Sequence, residues 1–275
     1  MKKKYAIFTI MIGKNKSYSY VENNFAYYAK KIDADLIICK EENFSKSYSS
    51  SKTYGVFGLE RIQILDLLNH YERVLCLDSD IIIHPEAPNI FENYPDDNCM
   101  YLLNEGKIFD RSHILEKNIQ ILNENELLKH VHTRCKYYNV GVILFSKKQR
   151  EFFEKINFKE IEKIIFDVNY FEQTYFNYLF MKYNFEVKEL DHRFNWMEMF
   201  GRRSKKLDAH FIHYAGGGFT NRKDRKYELM IDDLFTFYSE TLNGMIPPKK
   251  NVYYALRRFF YKNHFPINIP LLNYF

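Results

Sequence analysis

Two aspartates close the apolar run YERVLCLDSDIII at residues 71 to 83. Asp78 and Asp80, separated by Ser79 where a strand-like run ends, can project from one local turn toward a common point. Left unpaired they would repel each other, so a divalent cation is their natural companion. Hard oxygen donors suit Mg²⁺ or Mn²⁺, and a nearby imidazole tilts the choice toward Mn²⁺. His213 is the candidate imidazole. It stands in the strand-like AHFIHYA (209 to 215), on the face of Phe211 and opposite His210 and Ile212. The glycines that follow, Gly216 to Gly218, suit close approach of the backbone to a ligand. The plainer reading of the same residues makes Asp78 a turn cap, Asp80 a solvated acid and His213 a satisfied core histidine. His130, His132 and Cys135 have spacing that a transition metal could use, but no partner cluster accompanies them. IGKNKS lacks P-loop spacing, and no GxSxG nucleophile motif is present.

The elements that must position these residues alternate as strands and crossover helices do. YAIFTIMI (5 to 12) predicts a buried strand rather than a signal peptide, since lysines follow it and no small-residue cleavage site is evident. A helix is expected over 17 to 32, a strand over 34 to 39, a helix over 58 to 71 and a strand over 73 to 77. Pro85 and Pro88 then stop regular structure. Further strands are expected at 99 to 103, 137 to 145, 185 to 190 and 209 to 215, with helices at 148 to 165 and 170 to 182. Residues 105 to 136 read as an irregular or helical insertion. In open α/β sheets ligands collect beyond the carboxyl ends of the strands, where Asp78 and Asp80 fall.

With 275 residues, 46% of them hydrophobic, the chain can bury a substantial core, and no apolar stretch approaches the length of a membrane span. Four cysteines without a CxxC pair fit a reducing compartment. The net charge of +5 is local: no acidic residue follows Glu240, whereas Lys249, Lys250, Arg257, Arg258 and Lys262 do. Without them the body is neutral, which argues against nucleic-acid binding.

Several segments together carry a family resemblance. LERIQILDLLNHYERVLCLDSDIIIHPEAPNIF (59 to 91) resembles the donor-site segment of GT-A-fold glycosyltransferases. The nearest likeness is to the retaining family that includes bacterial lipopolysaccharide galactosyl- and glucosyltransferases and glycogenin. YYNVGVILFS (137 to 146), YFEQTYFNYLF (170 to 180) and HFIHYAGG (210 to 217) resemble that family in the same order, and the strand at 5 to 12 and DHRFNWM (191 to 197) fit less specifically. The resemblance covers roughly residues 4 to 220. It implies an α/β fold, Rossmann-like with a mostly parallel central sheet, over residues 1 to 246; residues 247 to 275 read from their own composition as a separable basic, aromatic helical tail.

The resemblance also implies roles. Asp78, Asp80 and His213 would hold Mn²⁺ on the diphosphate of a nucleotide sugar, stabilising the charge that develops as the nucleoside diphosphate leaves. Arg61 matches a basic residue directed at the donor, and its fork suits phosphate or sugar hydroxyls. Asn139 and Gly141 match an Asn-x-Gly beside the donor sugar. Glu172 and Gln173 match an Asp-Gln pair, with the glutamine beside the anomeric carbon and the acid on sugar hydroxyls. The extra methylene of Glu172 and the presence of Thr174 where an Asp is common are departures that leave the donor sugar open. Thr9, Ser79 and Gly216 fall at donor-contacting positions. Where the family often has a lysine followed by Pro-Trp, this chain has GGGFTNRKDRK, so Arg222, Lys223 or Arg225 would meet the diphosphate.

The tail NVYYALRRFFYKNHFPINIPLLNYF interleaves cations with aromatic and aliphatic residues. As a helix it places Val252, Leu256, Phe259 and Phe260 on one side and Arg257, Arg258, Tyr261 and Lys262 on the other, a pattern suited to an anionic membrane interface. The expectation is a cytoplasmic, Mn²⁺-dependent retaining hexosyltransferase using a UDP-sugar and a saccharide or glycolipid acceptor. It would lie on the inner face of a membrane through residues 249 to 275 and build surface glycan such as lipopolysaccharide or capsule. The insertion at 105 to 136 and the loop at 46 to 55 would recognise the acceptor and exclude water. The alternatives are a haloacid-dehalogenase-type phosphatase using Asp78 and Asp80, and a non-catalytic protein of the same fold that binds sugar nucleotides. A glycosidase fits poorly, since its carboxylates need a separation of about 5 Å or more.

Overall fold

A computed structural model describes residues 3–48, 56–132, 135–201, 203–220, 225–245 and 251–262. Among them the strands are β1 (Tyr5–Ile10), β2 (Ala34–Cys39), β3 (Arg73–Leu77), β4 (Ile81–Ile83), β5 (Met100–Asn104), β6 (Tyr138–Ser146), β7 (Val187–Glu189) and β8 (Phe211–His213). The α-helices are α1 (Tyr18–Lys31), α2 (Ile64–His70), α3 (Ile90–Asn93), α4 (Ser112–Ile121), α5 (Arg150–Glu154), α6 (Phe158–Ile164), α7 (Phe171–Lys182), α8 (Lys226–Phe237) and α9 (Asn251–Lys262). The chain forms two compact units that share it in alternation. The first comprises Met1–Gly13, Asp33–Asp78 and Asn89–Asp191; the second comprises Lys14–Ile32, Ser79–Pro88 and His192–Phe275.

The first unit is built on a six-stranded sheet in the order β2-β1-β3-β6-β5-β7. β1 runs parallel to β2 and β3, and β7 runs parallel to β5, while β6 runs antiparallel to both of its neighbours. The sheet is therefore mostly parallel with one reversed strand. That direction was invisible in YYNVGVILF, because a strand's residue pattern does not encode which way it runs. β3, β5 and β6 are buried along their whole length, as strands covered on both faces are. The pairing of β5 with β6 slips between Leu102 and Leu103, jumping from Ile143 to Asn139. Such an irregularity re-aims side chains, and here it falls on the Asn139-x-Gly141 stretch. Beyond the last rung of β3, the Asp78 amide donates to the Gly141 carbonyl at 2.8 Å.

Several expected helices differ in detail. The helix over 58 to 71 begins as a 3₁₀ segment, Val56–Gln63, before α2. The helix over 148 to 165 divides into α5 and α6 because the Asn157 side chain caps α6, accepting from the Lys159 amide at 3.0 Å. The insertion at 105 to 136 contains α4, whose Ile114, Leu115 and Ile119 enter the core of the first unit. α7 is buried on nearly every side instead of amphipathic. Asn177 on α7 fixes it to the start of β6. Its Oδ1 accepts from the Tyr138 amide at 2.6 Å, and its Nδ2 donates to the Tyr138 carbonyl at 2.9 Å.

In the second unit β4 and β8 pair antiparallel, with Ile81 opposite His213. The other edge of β8 is occupied by residues 193 to 196: His210 N–H donates to Arg193 O, Trp196 N–H to Phe211 O and His213 N–H to Trp196 O, all at 2.8 to 2.9 Å. α1 buries Val21, Asn24, Phe25, Tyr28 and Ala29, a stripe of helical spacing with one polar member. Asn24 explains itself: its Nδ2 donates to Ile83 O at 2.9 Å and its Oδ1 accepts from Ile83 N–H at 2.7 Å. The sequence had suggested neither β4, three residues between an acidic pair and a proline, nor α8.

Asn24 and Asn177 thus act as substitute peptide groups for one strand residue each. Truncation leaves a buried N–H and C=O unpaired, so Asn24→Ala and Asn177→Ala should each lose about 2–4 kcal/mol in urea unfolding. A loss below about 0.5 kcal/mol in either variant would contradict this account.

Candidate functional site

In the first unit the acidic and polar candidates gather at the carboxyl ends of β3 and β5 and at the first turn of α7. Arg61, within the 3₁₀ segment before α2, is buried, and its guanidinium forks between two carboxylates. Nη2 donates to Asp78 Oδ1 and Nη1 to Glu172 Oε1. Burial disfavours the cation, but Glu172 and then Asp78 outweigh it and hold Arg61 well above its ordinary pKa. For Glu172 burial is the larger influence and raises the carboxyl, with Arg61 offsetting only part of it. Both directions describe one pair: the arginine is a permanent cation, and the glutamate's negative form depends on it. Glu60 takes no part in this fork. Its Oε1 accepts from the amides of Asn43, Phe44 and Ser45 and from the Ser45 hydroxyl.

Gln173, the next residue on α7, accepts through Oε1 from Asn139 Nδ2 and from the Val140 amide, both at 3.3 Å. Asn139 Oδ1 accepts from the Gly141 amide at 2.9 Å, and Asn139 Nδ2 also donates to Glu105 Oε2 at 3.1 Å. Glu105 in turn accepts from Arg111 Nε at 2.8 Å and Nη2 at 2.7 Å. The Arg111 guanidinium lies 5.0 Å from the Phe109 ring centroid and 5.2 Å from that of Tyr170. Glu105 and Arg111 were missed in the sequence, although Glu105 directly follows β5, a strand end where ligand-facing groups are expected. Thr174, where the resemblance calls for an acid, donates its hydroxyl to Asn169 O at 3.0 Å and lies 2.7 Å from the Tyr137 hydroxyl, so it serves the start of α7. Thr9 is fully buried in β1, and its hydroxyl has no hydrogen-bond partner.

In the second unit Asp80 and His213 come together because the antiparallel register sets Ile81 opposite His213, with the Tyr214 amide donating to Asp80 O at 2.9 Å. His213 Nε2 lies 3.3 Å from Asp80 Oδ1. The other ring nitrogen, Nδ1, lies 2.8 Å from Asn195 Oδ1. With the asparagine oxygen accepting from Nδ1–H, the Nε2 lone pair faces a carboxylate oxygen that is itself buried without a hydrogen bond. Two acceptors so disposed suit a cation between them. The other carboxylate oxygen, Oδ2, accepts from Lys226 Nζ at 2.7 Å, a lysine buried at the first residue of α8. When His213 is instead protonated, it and Lys226 outweigh the burial that opposes the Asp80 charge and hold the carboxyl below the ordinary carboxylate range. Ser79 bonds the Tyr18 hydroxyl, whose pKa burial nevertheless raises.

Within the second unit, Asp80 and His213 offer ligand atoms of the kind a metal ion takes. His130, His132 and Cys135 instead line a cavity of about 670 Å³ in the first unit, beside Tyr138, Phe180 and Phe185. Gly216 and Gly218 adopt φ of +59° and +56°, the left-handed conformation that favours glycine. Of the cations expected at the diphosphate, Arg222 and Lys223 lie outside the described residues and Arg225 is exposed, while the neighbouring Lys226 turns inward.

The family model described as glycosyl transferase family 8 matches residues 5–218. No curated protein sequence matches the chain. Among the solved structures that are similar to the chain are three glycosyltransferases. A glycosyltransferase involved in glycosylation of the major capsid of PBCV-1 is 15% identical with a TM-score of 0.55, over 82% of this chain and 98% of that one. The galactosyltransferase LgtC in complex with donor and acceptor sugar analogues is 14% identical with a TM-score of 0.55, over 90% and 99%. The glycosyltransferase GlyE of Streptococcus pneumoniae is 16% identical with a TM-score of 0.50, over 90% and 66%.

The Arg61–Glu172 pair is closed in by Gly58, where a Cβ would fall 2.0 Å from Glu172 Oε2. Gly58→Ala should therefore displace the glutamate. We expect a loss of about 1–3 kcal/mol in thermal unfolding and at least roughly tenfold in turnover, each tenfold being about 1.4 kcal/mol in the barrier. A variant with the parent's melting temperature and rate would show that the glutamate position is immaterial.

Proposed function

Because the chain belongs to glycosyl transferase family 8, and is thereby a retaining GT-A glycosyltransferase, we propose that it transfers a hexose from a UDP-sugar to a saccharide or glycolipid acceptor. A divalent cation, Mn²⁺ by virtue of the imidazole, would be held by Asp78, Asp80 and His213 and would neutralise the departing diphosphate. The observation that carries this reading is the Asp80–His213 pair, whose Nε2 and Oδ1 face each other at 3.3 Å with Asn195 fixing the tautomer.

The remaining roles belong to the chain's own groups. Arg61 holds the carboxylates of Asp78 and Glu172 in place through its fork, so that Glu172 can accept from sugar hydroxyls. Gln173 presents its carbonyl oxygen to the anomeric centre, held by Asn139 and the Val140 amide. Gly141 admits the sugar, while Thr9, Ser79 and Gly216 line the nucleotide and phosphate positions. Glu105 and Arg111 extend the set by orienting Asn139. Positioning supplies much of the rate in such a site. The phosphatase alternative loses its support to the family assignment, as does a protein without transferase activity.

The proposed site of action is the cytoplasmic face of a membrane where surface glycan is made, with residues 247 to 275 as the contacting segment. No helix among the described residues is long and apolar enough to cross a membrane. On α9, Val252, Leu256 and Phe259 are exposed by 75%, 42% and 56% and recur at helical spacing, which supports an interfacial helix. Of the cations expected on the opposite side of the helix, one is not free to meet a membrane. Arg257 is buried, with Nη2 donating to Asp233 Oδ1 at 2.7 Å and Nε to Thr236 Oγ1 at 3.0 Å.

Thermal shift and hydrolysis over a panel of UDP-, GDP- and ADP-sugars, with Mn²⁺ or EDTA, test the transferase reading. One donor should stabilise the protein and be hydrolysed only with metal, and Asp80→Asn should lower that rate by about 100-fold or more. Hydrolysis unaffected by EDTA would sink the metal assignment. For the tail, the partition coefficient onto phosphatidylglycerol vesicles, read by sedimentation, should fall by roughly 100-fold or more in Leu256→Ser/Phe259→Ser, since each of the two buried side chains contributes roughly 1.5 kcal/mol or more. Equal sedimentation of variant and parent would remove the membrane from the proposal.

A further inference from the structure

Lys226 was not among the residues expected at the site, yet it makes the closest polar contact to the Asp80 carboxylate in the second unit, with Nζ 2.7 Å from Oδ2. Its side chain is 4% exposed and that of Asp80 15%, so solvent screens the pair little. We propose that Lys226 is a built-in counter-ion that competes with the divalent cation for Asp80, so that metal entry releases its ammonium. This rests on the reading of Asp80 and His213 as metal ligands.

Three observations carry it. Asp80 already has two cation-seeking sides: Oδ2 is taken by Lys226, and Oδ1 faces the His213 imidazole without a hydrogen bond. A dication drawn to Oδ1 and Nε2 would stand within a few ångströms of an ammonium on the same carboxylate. Two like-signed ions that close repel strongly where solvent is scarce. Second, Lys226 is the first residue of a twelve-residue helix. A cation there opposes the positive end of the helix dipole, so the helix does nothing to retain it. The ammonium meets Asp80 and lies 4.8 Å from the centroid of the Tyr227 ring. Third, the lysine stem is held at its root. A Cβ on Gly218 would lie 2.9 Å from Lys226 Cβ, and Gly218 has φ of +56°, so the turn after β8 closes against the stem. The root is fixed while the tip has several rotatable bonds, which lets the ammonium withdraw without moving α8.

The competition predicts a site that stays neutralised without metal and binds metal less tightly than its ligands alone would. Mn²⁺ binding, read by electron paramagnetic resonance of the free ion, tests this without reference to turnover. Lys226→Met keeps the stem and removes the charge. We expect Mn²⁺ to bind it about tenfold more tightly than the parent, the equivalent of about 1.4 kcal/mol. We also expect its melting temperature in EDTA to fall below the parent's and to recover with Mn²⁺. Lys226→Gln, which retains a donor for Asp80, should show the same tightening if the methionine variant folds poorly. Equal or weaker Mn²⁺ binding in folded variants would overturn the competition while leaving the metal site intact. Absence of Mn²⁺ binding in parent and variants alike would overturn the metal reading, and the competition with it.

Discussion

A carboxylate taken out of water keeps its charge only if a cation or several donors reach it. Much of this chain is arranged around that constraint. In the first unit Arg61 divides its fork between Asp78 and Glu172, and Arg111 supports Glu105. In the second, Lys226 holds Asp80, while Lys206, Arg257 and the Tyr214 hydroxyl converge on the fully buried Asp233. Except for Glu105, whose partner Arg111 is six positions on, each acid is met by a cation from a distant part of the chain, so folding itself supplies the counter-charge that burial demands.

The same logic of substitution governs the backbone. Short strands beside a functional centre leave N–H and C=O groups that a full sheet would pair. Asn24 and Asn177 satisfy them with a side-chain amide, which has the donor and acceptor of a peptide group. Glu60 does the equivalent for three consecutive amides of the segment after β2. Ile83, held by Asn24, lies three positions from Asp80; Tyr138, held by Asn177, is next to Asn139; and Glu60 is next to Arg61.

Asp233 also gives the tail helix a different meaning from the one its composition suggests. Lysine and arginine scattered among aromatic residues read as a membrane-facing mixture. In the fold the helix divides by depth: Tyr254 and Arg257 turn inward, and Val252, Leu256 and Phe259 remain outside. Tyr254 stacks on Phe235 of α8 at 5.4 Å between centroids, so α9 is a docked element with an apolar outer stripe.

Much of the frame was legible in the sequence. β1, β2 and β3 followed from contiguous apolar runs bounded by turn residues, and α1 from a 3.6-residue stripe, because these signals are local. Asp78 and Asp80 stood out for the same reason, being two charges at the end of such a run. The reversed direction of β6, the three-residue β4 and the fork of Arg61 were not legible. They depend on pairings across 67, 132 and 111 positions, as with Cys76 and Ile143, Ile81 and His213, and Arg61 and Glu172. Lys226 is the sharpest case. Its sequence surroundings, GGGFTNRKDRK, offer several equivalent cations, and composition cannot choose among them. The choice falls to Lys226 through its contact with an acid 146 residues away. The sequence by itself determined the elements and the chemistry they could carry. Which charge meets which was decided by tertiary structure, since electrostatic pairing follows distance in space and the chain's order says little about that.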